Sequence, residues 1–297
     1  MCFVPRTKSL RRYSGLLLAG ALLVSGCGRG IWVMDPAGPV GRIEKQLIDL
    51  SIILVLIVVI PVIALFAYIV YRYRDRPGSK APYSPHWSDN TALEVIWWSI
   101  PIIIVSILGT ATVKDTYALT HPPERSARPL TVEVTSLDWK WLFEYPGQHI
   151  ATVNYCTIPA NRPIQFILTS NAPMNSFWVP QLGGQEYTMP GMAMRLWLQA
   201  DRTGVFYGHG ANFTGRGFAH MQFDVVAKRQ ADFDRWVQTV RRSAPPLTLV
   251  GYHSLVRQSI VPKLSYSSYP LGEFRKNLAK EGGMYSKHDM SMVHTYE

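Results

Sequence analysis

The stretch LSIILVLIVVIPVIALFAYIV, Leu50–Val70, is 21 residues long and carries no charge. A helix needs about 20 such residues to cross the hydrocarbon core of a bilayer. Pro61 lies inside the run, a position that membrane helices tolerate. A second run of the same length, LEVIWWSIPIIIVSILGTATV, Leu93–Val113, follows with one acid, Glu94, at its start. Arg72, Arg74, Arg76 and Lys80 between the runs outnumber Asp75 and Asp89. Positive charge beside a membrane helix marks the cytoplasmic side, so both chain ends face the periplasm. The length of the runs and the basic flank argue against two buried core helices.

The chain has 297 residues, 47% of them hydrophobic, and a formal charge of +10. It is too apolar for disorder and too segmented for one soluble domain. Residues 1–26 read as a signal peptide, with Arg6, Lys8, Arg11 and Arg12 as the basic region and Leu16–Val24 as a short apolar region. Val24-Ser25-Gly26-Cys27 resembles a bacterial lipobox, which would make Cys27 an acylated mature N-terminus on the periplasmic side. An ordinary cleavage site with a chance cysteine is the less favoured alternative. Cleavage removes four cations and leaves 26 basic against 20 acidic residues, about +6. That excess gathers on no single run, so it is no nucleic-acid signature. Of three cysteines, Cys2 leaves with the signal and Cys27 is acylated, so Cys156 has no partner for an internal disulfide.

From about Leu130 the pattern changes to short alternating runs broken by Pro, Gly and Asn. The predicted strands are Leu130–Thr135, Trp139–Glu144, Ala151–Ile158, Ile164–Thr169, Ser176–Val179, Met194–Leu198, Gly204–Tyr207 and His220–Val226. Many short strands with turn signals indicate a β-sandwich or barrel. Phe233, Trp236, Val237 and Val240 then recur at helical spacing within Lys228–Ser243. The rest, rich in Tyr, Pro and basic residues, reads as an irregular arm packed on a larger partner, or as partly disordered.

Five motifs resemble one family. They are Asp138-Trp-Lys-Trp141 with the following Leu-Phe-Glu-Tyr-Pro146, Ile150-Ala-Thr-Val-Asn154, Pro159-Ala-Asn161, Asn175-Ser-Phe-Trp-Val-Pro180, and the loop GHGANFTGRGFAHM, Gly208–Met221. Together with the two membrane runs and the sandwich, they resemble subunit II of the haem–copper oxidases. In that family the last loop spaces dinuclear copper (CuA) ligands as Cys-x-x-x-Cys-x-x-x-His-x-x-Met. Anchoring the Met on Met221 puts the other positions on Phe218, Thr214 and Gly210, with Asn212 between the last two. Asn175 stands where the family has a further His. Only a thioether remains, whereas such a site needs bridging thiolates and imidazoles.

The resemblance, closest to the quinol-oxidising branch, implies a mixed fold. Residues 1–26 form the signal peptide and 27–45 a periplasmic segment. Residues 46–116 form a transmembrane hairpin with helices at about 50–70 and 93–113. An all-β, cupredoxin-like sandwich over 128–227 lacks the copper centre, and 228–297 supply a helix and an aromatic-rich arm. It implies subunit II of a proton-pumping bo-type or ba-type ubiquinol oxidase in the bacterial inner membrane, part of an aerobic respiratory chain. Haems and a single copper (CuB) would lie in subunit I, with subunits III and IV and membrane lipid as further partners and no role for cytochrome c. Glu94 would lie at the entrance of a proton pathway into subunit I, the K-channel. Its residues alone favour another role: Thr91-Ala-Leu-Glu94 is a capping-box pattern, and an acid in the first turn suits the helix dipole.

Two other readings compete, a copper-relay subunit of a cytochrome c oxidase and a free membrane-anchored cupredoxin lipoprotein. The four altered ligand positions count against the first, the membrane runs and absent ligands against the second. His209 and His220 near the loop miss the ligand positions, and Trp139 and Trp141 read as core or interface side chains. His288, Met290, Met292 and His294 form a soft-ligand tail whose plainer reading is a polar terminus.

Overall fold

A computed structural model describes residues 31–75, 77, 82, 89–123 and 128–279. The signal peptide, Cys2, Cys27, Arg76, Lys80 and the His/Met tail lie outside the described residues.

Two long helices come first, α1 (Pro39–Tyr73) and α2 (Thr91–Leu119). They contain 35 and 29 residues, so both exceed the predicted spans. The surplus of α1 is extramembrane helix seated on the sandwich. Gly38 caps its start, and a Cβ there would meet the Gln199 carbonyl oxygen at 2.0 Å. Ala37 and Gly41 donate to the carbonyls of Gln181 and Leu182 at 2.7 and 3.0 Å, and Glu44 accepts from the Gly184 amide at 2.6 Å. Arg42 pairs with Asp201. Below this joint, side chains such as Ile53, Ile63, Phe66, Trp98 and Ile103 are exposed on both helices, as lipid-facing or partner-facing surfaces require.

The capping-box reading at Thr91 is corrected. Asn90 is the N-cap, and its Oδ1 accepts from the Leu93 amide at 3.0 Å. Asn is as good a cap as Thr, and starting one residue earlier satisfies another orphan donor.

The sandwich has a six-stranded sheet in the order β11-β3-β2-β1-β5-β8 and a five-stranded sheet in the order β4-β10-β9-β6-β7. The strands are β1 Leu130–Leu137, β2 Lys140–Tyr145, β3 Ile150–Val153, β4 Tyr155–Pro159, β5 Ile164–Ser170, β6 Asn175–Trp178, β7 Glu186–Thr188, β8 Met194–Leu198, β9 Gly204–Gly210, β10 Gln222–Lys228 and β11 Leu264–Tyr266. The run predicted as one strand over Ala151–Ile158 is two. Asn154 turns at φ 59°, and the chain passes there from the large sheet to the small one. Asn accepts this left-handed geometry more readily than most residues. Alternate side chains of both sheets meet in an aromatic core, where Phe177 stacks on Phe223 at 4.7 Å and Trp141 meets Phe177 edge-on at 5.4 Å.

Helix α3 (Gln230–Ser243) buries Phe233, Val237 and Val240, as its spacing predicted. The arm differs from its expectation. It contains α4 (Leu249–Val256), β11 and α5 (Glu273–Ala279), and it packs on this chain's own large sheet. Leu247, Tyr252 and Leu255 join Leu137, Leu142, Ala151 and Val153 in a second core, and Phe274 and Leu278 pack on Ile167. Short elements with few periodic positions give little sequence signal; the sheet face they cover supplies the reason they form.

Candidate functional site

The loop between β9 and β10 runs through Ala211–Gly217 and a 3-10 turn, Phe218–His220. It closes beside the start of β6, which brings Asn175 under it. Asn175 is fully buried, and its Nδ2 lies 2.7 Å from the Met221 sulfur while its Oδ1 accepts from the Ser176 amide at 2.7 Å. A Cβ on Gly210 would stand 2.8 Å from Asn175 Oδ1 and 3.1 Å from Nδ2. The Asn175 amide therefore fills the space a side chain at Gly210 would need.

The remaining positions have structural roles. Trp139, at φ 63°, lies over the loop and donates from Nε1 to the Thr214 carbonyl at 3.0 Å. A Cβ on Gly217 would meet the Trp139 ring at 2.1 Å. Asn212 Nδ2 donates to the Met174 carbonyl at 3.0 Å, and the Phe218 ring packs against Phe213 at 5.6 Å. A dinuclear copper centre does not fit these residues: one thioether is the only soft donor, and it is already engaged by an amide. Among the described residues no three His, Cys, Asp or Glu side chains converge as a metal-binding group.

The flanking residues do not complete a site. His209 lies between Trp178 and Tyr207, at 5.2 and 5.3 Å, with Nδ1 2.8 Å from the Gly210 carbonyl oxygen. His220 is exposed. Cys156 pairs in register with Val225, four residues beyond Met221 on β10, a separation of about 13 Å along a strand. Burial also pushes its thiol up, away from the ligating thiolate.

Two residues that sequence reasoning passed over hold the arm. The buried Lys140 ammonium donates to the carbonyls of Asp138, Leu255 and Arg257 at 2.8, 2.9 and 2.9 Å. Burial lowers its pKa and the Asp138 carboxylate opposes that shift. Asn154 donates from Nδ2 to the Val261 carbonyl at 2.8 Å while its Oδ1 accepts from the Trp141 amide. The available signal was a lysine on a strand of aromatics, since a buried ammonium demands partners. Within Asp138–Trp141, Trp139 pins the loop, Lys140 pins the arm and Trp141 enters the core.

Glu94 sits in the first turn of α2, exposed, 25 residues before the helix ends beside the sandwich. At 1.5 Å per residue that is about 38 Å, more than the thickness of a bilayer core.

The family profile for the transmembrane domain of cytochrome c oxidase subunit II matches residues 29–114, and that for its periplasmic domain matches residues 146–228. A quinol oxidase subunit 2 of Bacillus cereus is 45% identical over 267 residues, covering 89% of this chain and 92% of that protein. A cytochrome bo(3) ubiquinol oxidase subunit 2 of Pseudomonas putida is 42% identical over 282 residues, 93% of this chain and 88% of that protein. The solved periplasmic domain of cytochrome oxidase subunit II from Bradyrhizobium japonicum is similar at 23% identity and a TM-score of 0.38, over 41% of this chain and 98% of that one.

Proposed function

From the fact that the chain belongs to the oxidase subunit II family and aligns along most of its length with quinol oxidase subunits, we propose that it serves a ubiquinol oxidase as a scaffold with no redox centre of its own. The complex oxidises quinol and reduces oxygen to water. The observation that carries the scaffold reading is the Asn175 amide seated against Gly210 and Met221, where a relay metal would need thiolates and imidazoles. The physical logic agrees. A water-soluble donor docks outside the bilayer and needs a relay in the exported domain. A lipophilic quinol delivers its electrons within the bilayer and needs none.

In this reading the haems and the single copper (CuB) belong to subunit I, which packs against the exposed faces of α1 and α2 in the inner membrane. Subunits III and IV complete the proton-pumping complex. Cys27 bears the acyl chains on the periplasmic side, adding an anchor to the two helices. Glu94, at the cytoplasmic end of α2, collects protons for a pathway into subunit I. Its exposure in the isolated chain and its place about 38 Å from the sandwich end support that role. Metal analysis of the purified complex tests the scaffold reading. Copper confined to subunit I is the expected result, and copper co-purifying with this separated chain would overturn it.

A further inference from the structure

The outer face of the six-stranded sheet, apolar at Leu137, Leu142 and Val153, also holds two acids. Glu133 on β1 and Glu144 on β2 are direct partners in the antiparallel register. Such partners project to one face with Cβ atoms about 5 Å apart. Glu144 is 1% exposed, and neither of its carboxylate oxygens has a hydrogen-bond partner. Both acids line a cavity of about 490 Å³ together with Pro146, His149, Tyr269, Leu271, Phe274 and Arg275. The arm is its roof.

Of the charged and titratable groups around the pair, none hydrogen-bonds the Glu144 carboxylate. From the sheet side, Arg162 and Arg195 line the neighbouring cavity next to Glu133 but do not line the one that holds Glu144. His149 stands on the β2–β3 turn. From the arm, Arg275 acts on Glu133 and Lys276 pairs with Glu273, while Tyr252 and Tyr269 are phenols raised by burial and then by nearby carboxylates, Glu144 and Glu273 for Tyr252 and Glu144 and Glu133 for Tyr269. Two ionised carboxylates at this spacing, one of them dry and without donors, are strongly disfavoured. No third metal-binding side chain joins them among the described residues. One proton meets the need: a carboxylic acid donates to the carboxylate opposite, and the repulsion disappears.

We propose that Glu133 and Glu144 form a shared-proton carboxyl pair that latches the Tyr269–Ala279 segment onto the sheet, docked when the pair is protonated and released when it ionises. The latch is independent of electron transfer. Only its exposure to the periplasm of a pumping complex rests on the function proposed above.

Burial raises both acids. Glu133 is held at about 7 with Arg275 opposing, and Glu144 is raised well above the carboxylate range by burial, then by Glu133 and Glu273. Folded values above the free ones mean that docking is fully favoured below the free carboxyl range and weakens as pH rises through about 7. Each proton released changes the opening equilibrium by at most about tenfold per pH unit.

The test is amide hydrogen exchange on the intact complex in lipid nanodiscs at about pH 5.5 and about pH 8.5, corrected for intrinsic exchange. Amides of α5 should open at least about tenfold more at the higher pH, with α3 as the internal reference. Glu144→Gln should flatten that dependence, and Glu133→Gln should move its midpoint by at least about one pH unit. Protection of α5 that is equal at both pH values in the wild type overturns the latch. So does an unshifted midpoint in Glu133→Gln, the less buried position of the two, which decides alone should Glu144→Gln fail to assemble.

Discussion

The loop end of the small sheet and the arm-covered face of the large sheet are closed in opposite ways. The loop is filled by neutral groups: an asparagine amide, a thioether, a tryptophan and glycines placed where no Cβ fits. The arm is fastened by ionisable ones: Lys140 inside three carbonyls, and Glu144 with no donor at all. Neutral plugs tolerate partial loss because little is left uncompensated. Buried ionisable groups do not, since removing one partner strands the other. A single strand entrance, Asp138–Trp141, serves both regions, so the two closures can be perturbed one residue apart.

The largest effect is expected at Lys140. Lys140→Ala leaves the Leu255 and Arg257 carbonyls without their donor and should cost roughly 3–5 kcal/mol, seen as rapid proteolysis within residues 249–279 of the purified complex. Trp139→Ala should cost about 3 kcal/mol and show up as faster exchange in Ala211–His220, with the arm unchanged. If both variants loosened both regions equally, the separation drawn between them would fail. Gly210→Cys forces a side chain to within 2.8 Å of the Asn175 amide and should cost about 2 kcal/mol. It should acquire no visible thiolate–copper absorption on copper titration, because one thiolate beside one thioether does not make the centre. The smallest stability effect belongs to Glu94→Ala, below about 0.5 kcal/mol, since Asn90 does the capping. Its turnover and proton uptake in the assembled complex should nonetheless fall, and unchanged values would remove Glu94 from the proton pathway.

The contrast also explains what the sequence disclosed. The membrane runs, most strands of the sandwich and α3 follow from periodicities of many residues, which composition reports directly. The altered loop was legible because its frame, SFWVP on one side and Met221 on the other, remains in place. What Asn175 and Gly210 do to each other was not legible, because it depends on two strands meeting across the small sheet. The arm was hidden for a different reason. Its elements run to eight residues at most and are stabilised by the sheet beneath, so their local pattern is weak. Lys140 and Asn154 were the readable hints, polar residues inside motifs of otherwise buried strands.

Steady-state oxidation by the purified complex, comparing ubiquinol with reduced cytochrome c as sole donor, bears most directly on the scaffold reading. With a loop closed by Asn175, Gly210 and Met221, ubiquinol should be oxidised and cytochrome c should not. Turnover with cytochrome c and none with ubiquinol would contradict it.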